Sequence, residues 1–452
     1  MTVSLPDDDL SRLSDFVAER MGLYFPPERW PELRCGLEAA RREFGFDDAD
    51  QCVRWMMSAP LAPHQIDVLA SNLTIGETYF FRQKELFDIL EGKILPALIS
   101  ERTGKEQRLR VWSAACCTGE EAYSLAILLK RLIPDLSRWN VTILASDINP
   151  RFLRKAQSGE FKKWSFRDVP DWLKDGYFAV TETGHYVIAP DIKSMVTFFP
   201  LNLVEDTYPS LLNDTNAMDL ILCRNVLMYF APAQAQKVVR KLALALMEGG
   251  WLAVSPCESF CITTPELVHG VNSGVTLFRK RQTDQGKGEP VLSASPVDSA
   301  QNPANPEGAG GGDRPPIFQE NEYERVARKL ADQGKLEEAL TWCDQALAAH
   351  PFDPSCHYLR AGILSEQGDV TEAVRSFHRS IAIAPDFVLA HFALGNAVRQ
   401  QQKHHDACRH YGHALKLLER CCPDEVVPHS EDLTAGRLMD MITALMEMET
   451  PS

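Results

Sequence analysis

The chain has 452 residues and a formal charge of −15, with 47 Lys and Arg against 62 Asp and Glu. This length suits about two to four domains, and the acidic balance argues against a nucleic-acid partner, because phosphate binding needs a surplus of basic side chains. No apolar run approaches the roughly 18 residues of a membrane span, and the N-terminus has no basic flank with an apolar stretch, so we expect a cytoplasmic protein without membrane insertion.

Residues 1–70 are predicted to form a helical domain of short amphipathic helices, for example at 10–21 and 33–44. Three arginines of the second helix, Arg34, Arg41 and Arg42, occupy positions i, i+7 and i+8 and therefore share one helix face. The twelve cysteines include no C-x₂-C pair. We therefore expect no metal site and interpret them as small buried apolar residues.

From residue 108 onward, predicted strands alternate with predicted helices. The strands are 108–114, 141–146, 195–201, 218–223 and 250–255, and the helices are 120–132, 150–157 and 232–247. This alternation predicts an α/β fold with a doubly wound, mostly parallel sheet. A ligand of such a sheet lies at the carboxyl ends of its strands.

The turn after the first strand has a single glycine, Gly119, followed by Glu120 and Glu121. It therefore lacks the glycine-rich pattern of a pyrophosphate site. Two carboxylates there suit a ligand with a cationic or hydroxyl-bearing end, although acidic residues also simply complement the dipole at the start of a helix.

Polar side chains also follow the later strands. Asp147 ends the second strand, where a carboxylate commonly accepts the hydroxyls of a ribose; it could equally be the N-cap before Pro150. Asn202 and Asn225 follow the next two strands and suit an adenine edge or an amino-acid end. A ribose acceptor without a phosphate site favours S-adenosylmethionine over a dinucleotide.

A linker is predicted at 282–317. Residues 282–316 contain no aromatic side chain, and Gly and Pro occupy 12 of these 35 positions. Such a segment buries too little apolar surface to offset the entropy cost of ordering it. It separates the preceding body of about 280 residues from a C-terminal region at 318–452.

The C-terminal region repeats with a period of 34 residues. Small residues recur in shared columns, one of which holds Ala339, Ala373 and Ala407. This pattern resembles the tetratricopeptide repeat, a pair of antiparallel helices that stacks on its neighbours. An unrelated helical bundle is the alternative, and the sequence does not identify a ligand for the repeats.

Four ordered motifs give the body a specific resemblance. They are T-x-x-x-T-x-F-F-R at 74–82, W-S-A-A-C-x-T-G-E-E at 112–121, S-D-I at 146–148 and C-R-N-V-x-x-Y-F at 223–230. Together they resemble the CheR family of chemoreceptor glutamate O-methyltransferases over about residues 5–280. The resemblance implies a helical N-terminal domain, an S-adenosylmethionine domain at 71–281 with a small β subdomain, and S-adenosyl-L-methionine as cofactor.

The resemblance also assigns residues to the cofactor. Glu120 is implied to hold its amino-acid or sulfonium end, and Asp147 its ribose. The full implied set is Thr78, Arg82, Glu120, Asp147, Asn202, Leu203, Asn225 and Val226. One family contact, commonly an Asn, falls on Gly76, so its side-chain hydrogen bond is absent here.

The chemistry needs no general base, because a glutamate substrate is ionised at neutral pH. Either Arg82 or Arg224 could hold the incoming carboxylate, and Tyr229 could donate a hydrogen bond to it. We predict Arg82 and Tyr229 as the catalytic residues, although Tyr229 could instead be a core aromatic. The resemblance implies that Arg34, Arg41 and Arg42 dock the acidic helices of a methyl-accepting receptor's cytoplasmic domain, unless they only form a solvated face. The alternatives are methylation of another protein, or a non-catalytic repeat scaffold built on a degenerate methyltransferase.

Overall fold

The structure is a computed structural model that describes residues 5–205, 207–211, 213–270, 275–282, 322–401, 403–423, 425–430 and 433–449. Apart from Gln282, the predicted linker at 282–317 lies outside these residues. In the described part of the chain, no helix combines the length and the apolar character that crossing a membrane requires.

Four helices form the N-terminal region and contain the two helices predicted there. They are α1 (Asp7–Met21), α2 (Trp30–Glu43), α3 (Ala49–Ser58) and α4 (Pro63–Leu73). Helices α2 and α4 cross closely at Gly36, where an added Cβ would lie 2.5 Å from a Leu73 methyl carbon. The first two helices bury Leu10, Leu13, Leu33 and Leu37 against the main core.

Two short helices lead from this region into an α/β domain. The elements are, in order, α5 (Lys84–Ile89), α6 (Leu95–Arg102), β1 (Arg108–Ala114), α7 (Glu120–Leu132), β2 (Asn140–Asp147), α8 (Pro150–Ser158), β3 (Glu160–Phe161), α9 (Asp171–Tyr177), β4 (Phe178–Val180), β5 (Tyr186–Ile188), α10 (Pro190–Lys193), β6 (Val196–Pro200), β7 (Met218–Cys223), α11 (Pro232–Ala245), β8 (Leu246–Ala253), β9 (Leu267–His269) and β10 (Leu277–Lys280).

The large sheet has the order β6-β2-β1-β7-β8-β10-β9. Its first five strands are parallel, and β10 and β9 join antiparallel at one edge. The register places Ala114, Ser146 and Cys223 side by side. The carboxyl ends of β1, β2 and β7 therefore meet at one edge, as the predicted α/β fold requires.

The predicted strands at 141–146, 195–201 and 250–255 differ from the observed bounds, and the largest difference is at the start of β8. Strand β8 begins at Leu246 instead of 250, because Leu246 already pairs with Met218 and the strand then passes through an irregularity at Gly249 and Gly250. Strand pairing here overrides the helical pattern that predicted α11 to reach residue 247.

A small antiparallel sheet of order β3-β5-β4 forms the β subdomain that the resemblance implies. It is fixed by an aromatic cluster in which Phe80 lies within 5.0 Å, between ring centroids, of Phe161, Phe166 and Phe178. Phe80 belongs to the segment that precedes α5. The cluster therefore joins this segment to the small sheet.

The C-terminal region is all helical. Its helices are α12 (Glu322–Asp332), α13 (Leu336–Ala349), α14 (Pro354–Gln367), α15 (Val370–Ile383), α16 (Val388–Gln400), α17 (His404–Leu418) and α18 (Ala435–Glu449). Helices α13, α15 and α17 begin 34 residues apart, and Ala339, Ala373 and Ala407 are fully buried. The predicted repeat is confirmed, because its small residues lie where paired helices approach.

The repeats contact the amino-terminal edge of the sheet. The Glu366 carboxylate accepts hydrogen bonds from Arg108 Nη1 at 3.1 Å and Asn216 Nδ2 at 2.6 Å, while Asn140 Nδ2 donates to the Glu366 carbonyl at 2.8 Å. The Arg108 and Glu366 side chains are each only 2% exposed. A buried ion pair at the start of β1 thus fixes α14 to the edge opposite the carboxyl ends.

Candidate active site

A cleft of about 1000 Å³ lies at the carboxyl edge of the sheet and is partly open to solvent. Its walls come from the N-terminal helices, the segment before α5, and the loops after β1, β2, β6 and β7. Eight predicted site residues line it: Thr78, Arg82, Asp147, Asn202, Leu203, Asn225, Val226 and Tyr229. The fold therefore brings together residues that are up to 151 positions apart in sequence.

Asp147 is the buried carboxylate of the cleft. Its Oδ2 accepts the Cys117 amide and its Oδ1 the Asn149 amide, both at 2.8 Å. Burial raises the pKa of Asp147 to about 6, against the opposing effect of these amides. The helix cap is Asn149, whose side chain accepts the amides of Arg151 and Phe152. Asp147 is therefore not the N-cap and faces the cleft instead.

The two glutamates at the start of α7 point to different places. Glu120 does not line the cleft: its carboxylate is buried and accepts hydrogen bonds from the hydroxyls of Thr118 at 2.6 Å and Ser165 at 2.9 Å. Glu121 lines the cleft and accepts the Ser113 hydroxyl at 2.7 Å. Of these two carboxylates, Glu121 is the one that lines the cleft, and the contact of Glu120 with the cofactor stays a prediction.

Arg224 ties three parts of the cleft together. Its guanidinium donates to Glu121 at 2.8 Å, to the Gln83 side chain at 2.7 Å and to the Arg82 carbonyl at 2.9 Å. The side chain is 2% exposed. Because these partners occupy both of its terminal nitrogens, Arg224 holds the backbone of Arg82 beside the cleft.

Glu258 is a residue of the site region that the sequence analysis did not assign. Its fully buried carboxylate accepts the amides of Asn225 at 2.9 Å, Val226 at 2.7 Å, Met228 at 3.3 Å and Ser255 at 2.9 Å, and also the Ser255 hydroxyl. Ser255 and Glu258 form a capping box just after β8. Glu258 therefore fixes the loop that carries Asn225 and Val226.

Several cleft residues have a left-handed backbone. Ala115 (φ 62°), Cys117 (φ 53°) and Asn225 (φ 58°) line the cleft, while Phe81 (φ 53°) and Gln83 (φ 69°) flank Arg82. Such conformations are costly for residues with a side chain and persist where surrounding contacts hold them, commonly at functional sites. Two such contacts are hydrogen bonds: the Cys117 amide donates to the Asp147 carboxylate, and the Asn225 amide donates to the Glu258 carboxylate.

Asn202 serves the fold through its side chain. Its Nδ2 donates to the Arg20 carbonyl at 2.8 Å and to Glu205 at 2.9 Å, and its Oδ1 accepts the Val204 amide at 3.3 Å. Its neighbour Leu203 provides apolar wall to the cleft. Both hydrogens of the Asn202 amide are thus bound within the protein, and its contact with a ligand stays a prediction.

At Gly76, where the resembling family commonly has an asparagine, the ring of Phe152 fills the space beside the backbone. A Cβ added at Gly76 would lie 2.6 Å from the Phe152 ring, and Phe152 itself lines the cleft. The glycine thus allows Phe152 to fill the space that a side chain at residue 76 would need.

Arg82 and Tyr229 lie on the same cleft with a further cation, Arg29. Arg82 Nη1 donates to the Glu77 carbonyl at 2.5 Å, and the Arg29 guanidinium lies 5.1 Å from the Tyr229 ring centroid. Burial raises the pKa of Tyr229, so its hydroxyl stays protonated at neutral pH. Arg29 was not predicted, because it precedes α2 in an ordinary polar turn.

The three predicted docking arginines of α2 lie outside the lining of the cleft. Arg41 binds Glu38 at 2.7 Å and donates to the Phe46 carbonyl at 2.6 Å, and Arg34 binds Asp7 at 3.5 Å. Arg42 is exposed. The structure therefore places two of these three charges beside acidic side chains of the same chain.

Comparison with known proteins decides the family. Residues 76–273 match the model of the CheR methyltransferase SAM-binding domain. A chemotaxis protein methyltransferase of Listeria innocua is 34% identical over 193 residues, which are 43% of this chain and 69% of the relative. The chain belongs to the CheR methyltransferase family. It is accordingly an S-adenosylmethionine-dependent methyltransferase, and S-adenosylmethionine is its methyl donor.

Two further relatives span more of this methyltransferase. A chemotaxis protein methyltransferase of Borreliella burgdorferi is 28% identical over 261 residues, covering 57% of this chain and 90% of the relative. The probable biofilm formation methyltransferase WspC of Pseudomonas aeruginosa is 29% identical over 411 residues, covering 82% of this chain and 94% of the relative. The similarity to WspC extends beyond the methyltransferase domain into the helical repeats.

The chemistry of the cleft fits this cofactor. Asp147, Glu121, Leu203, Val226 and Phe152 line the cleft. Asp147 would offer an acceptor to ribose hydroxyls, Glu121 a carboxylate to an ammonium group, and the three apolar side chains a surface to a ring. Among the described residues there is no group of three His, Cys, Asp or Glu side chains arranged to hold a metal ion.

Proposed function

We propose that this CheR-family methyltransferase esterifies glutamate side chains of methyl-accepting receptors. The products are glutamate 5-O-methyl esters, and the setting is chemosensory signalling in the cytoplasm. The relatives are named chemotaxis protein methyltransferases, which supports a substrate in chemosensory signalling. The observation that carries the proposal is one cleft that combines the predicted cofactor residues with Arg82 and Tyr229.

When bound, S-adenosylmethionine supplies a methyl group attached to a positively charged sulfur. An ionised carboxylate can attack this methyl group directly, because it has no proton to lose first. The protein's task is then alignment in a preorganised, largely dry site. We assign Arg82 to hold the incoming carboxylate, and the Tyr229 hydroxyl to donate a hydrogen bond to it. No histidine is found among the described residues that line the cleft. The proposed reaction needs no general base, because the substrate carboxylate is already ionised at neutral pH.

Asp147, Glu121, Leu203, Asn225 and Val226 are proposed to bind the cofactor, with Thr78 at the mouth of its site. Glu258 and Arg224 are proposed to position these residues. Arg42 is the member of the α2 arginine group that we retain for receptor docking, because Arg34 and Arg41 face acidic partners.

The decisive experiment incubates the protein with receptor-containing membranes and a donor labelled on its methyl group. We expect label on the receptor that mild alkali releases as methanol, because a carboxylate ester hydrolyses under those conditions. Tyr229→Phe should lower kcat while leaving S-adenosylhomocysteine affinity within about twofold. If the protein binds S-adenosylhomocysteine but labels another protein, the receptor is the wrong substrate. If it binds none, the scaffold alternative is favoured.

A further inference from the structure

A row of stacked cationic and aromatic side chains leads out of the cleft. The Arg82 guanidinium lies 5.8 Å from the Tyr79 ring centroid, and Arg167 lies 4.0 Å from the same ring and 4.3 Å from the ring of Trp164. The row begins in the cleft, which Arg82 lines, and ends at Trp164, which is 70% exposed. We call Arg82, Tyr79, Arg167 and Trp164 the stacked row.

The backbone beneath the row is fixed independently of these stacks. The Phe80 amide donates to the Ser165 carbonyl at 2.9 Å, which joins the segment before α5 to the short helical turn Lys163–Phe166. The Phe80 and Phe166 rings stack at 5.0 Å between centroids. Removal of an exposed side chain such as Trp164 should therefore leave the fold unchanged.

The surface around the row is basic within an acidic protein. Lys162 and Lys163 are exposed beside Trp164. With Arg82 and Arg167 they make four cations, against the carboxylates of Glu77, which pairs with Arg167 at 3.1 Å, and of exposed Asp168. The whole chain carries −15. An acidic partner is thus repelled by most of the molecule and attracted at this place.

The composition of the row suits a protein partner. Trp, Tyr and Arg are the side chains that most often dominate the binding energy of protein interfaces, because each combines a large apolar area with a polar end. An exposed Trp between two lysines and an arginine offers apolar contact and charge pairing together. This combination fits an amphipathic helix whose polar face is rich in carboxylates.

We propose that the stacked row, with Lys162 and Lys163, is the docking surface for the acidic helix of the substrate protein. The helix lies along the row while one of its glutamates enters the cleft beside Arg82. This inference rests on the proposed function and adds to it a recognition surface on the small β subdomain, separate from α2.

The test measures methyl transfer to receptor membranes by two variants, Lys162→Glu/Lys163→Glu and Trp164→Ala. We expect KM for receptor to rise at least about tenfold, with kcat and S-adenosylhomocysteine affinity within twofold of wild type. The KM of wild type should also rise with salt more steeply than that of the double variant, because the attraction is electrostatic. Lys329→Glu/Lys416→Glu, an equal charge change on the repeats, is the matched control and should change neither value.

The outcomes separate the docking surface from the proposed function. If wild type methylates receptor and both row variants keep its KM within twofold, the docking surface is wrong and the function stands. Equal losses in the control, or parallel losses of S-adenosylhomocysteine binding, also overturn the docking surface, because they report general damage. If wild type transfers no methyl group to receptor, the proposed function itself fails.

Discussion

The carboxylate of Glu258 is the sharpest single test of how the cleft is built. Its Oε1 accepts the amides of Val226 and Met228, and its Oε2 accepts the amides of Asn225 and Ser255 and the Ser255 hydroxyl. Glu258→Gln replaces one oxygen by an NH₂ group, which cannot accept. Whichever way the amide turns, at least two backbone amides lose their acceptor.

The expected size of the effect follows from these lost bonds. A buried donor without an acceptor costs about 1–3 kcal/mol, so two cost about 2 kcal/mol at the least. Because the affected amides belong to the loop that carries Asn225 and Val226, we expect much of this cost in ligand binding. A loss of about 2 kcal/mol of binding free energy corresponds to a roughly 30-fold higher dissociation constant for S-adenosylhomocysteine.

The assay is isothermal titration calorimetry with S-adenosylhomocysteine, with circular dichroism as the check on folding. Cys257→Ser is the matched control, because Cys257 is the exposed neighbour of Glu258 on the same short helix, Pro256–Cys261. It should bind like wild type. If folded Glu258→Gln binds within threefold of wild type, the carboxylate does not hold the loop, and our account of it is wrong.

Three further predictions concern other parts of the molecule. Burial raises the pKa of Asp147 to about 6. The affinity for S-adenosylhomocysteine, measured by calorimetry, should therefore be constant above about pH 7 and fall below pH 6 as the carboxylate protonates. Asp147→Asn should abolish this pH dependence, and an unchanged pH profile in the variant would assign the dependence to another group. Glu366→Ala leaves the buried guanidinium of Arg108 unpaired, at a cost of about 3–5 kcal/mol, and should lower the midpoint of urea unfolding followed by circular dichroism. Arg108→Met/Glu366→Met should recover most of this loss of stability. A wild-type midpoint for Glu366→Ala would argue against a docked repeat region. Gly76→Asn should weaken S-adenosylhomocysteine binding, because its Cβ meets Phe152 at 2.6 Å. The same substitution should cost less affinity when it is made in a Phe152→Ala background, where the clash is gone; equal or tighter binding by Gly76→Asn alone would refute the clash.

The parallel sheet and most of the cleft could be predicted from the sequence. Strands β1 and β7 and helix α7 match their predicted bounds residue for residue. Each is a buried apolar segment bounded by small or polar residues, so local pattern and tertiary burial agree. The polar residues that end the parallel strands then had to meet, because those ends share one edge of the sheet.

The direction of a side chain is harder to predict than the position of its residue. Glu120 and Glu121 are neighbours at one helix start, and the carboxylate of Glu120 turns away from the cleft to accept a hydrogen bond from Ser165, 45 positions later. Glu258 likewise acts on a loop more than 30 residues earlier. Neither partner is visible in a local pattern, because each contact depends on tertiary packing.

The position of the repeats was not predictable for the same reason. Glu366 appears in the sequence as an ordinary polar residue near the end of a helix. Only the fold shows that its side chain is buried against Arg108, 258 positions earlier.

This placement separates the repeats from the cleft by the full depth of the sheet. The repeats contact the start of β1, and the cleft opens where β1 ends. A protein captured by the repeats would therefore not compete with a substrate for the cleft. If the protein bound by the repeats and the substrate belong to one assembly, tethering raises the local concentration of methylation sites without any change in the cleft itself. The rate of methylation could then be set by where the enzyme is held rather than by the chemistry it performs.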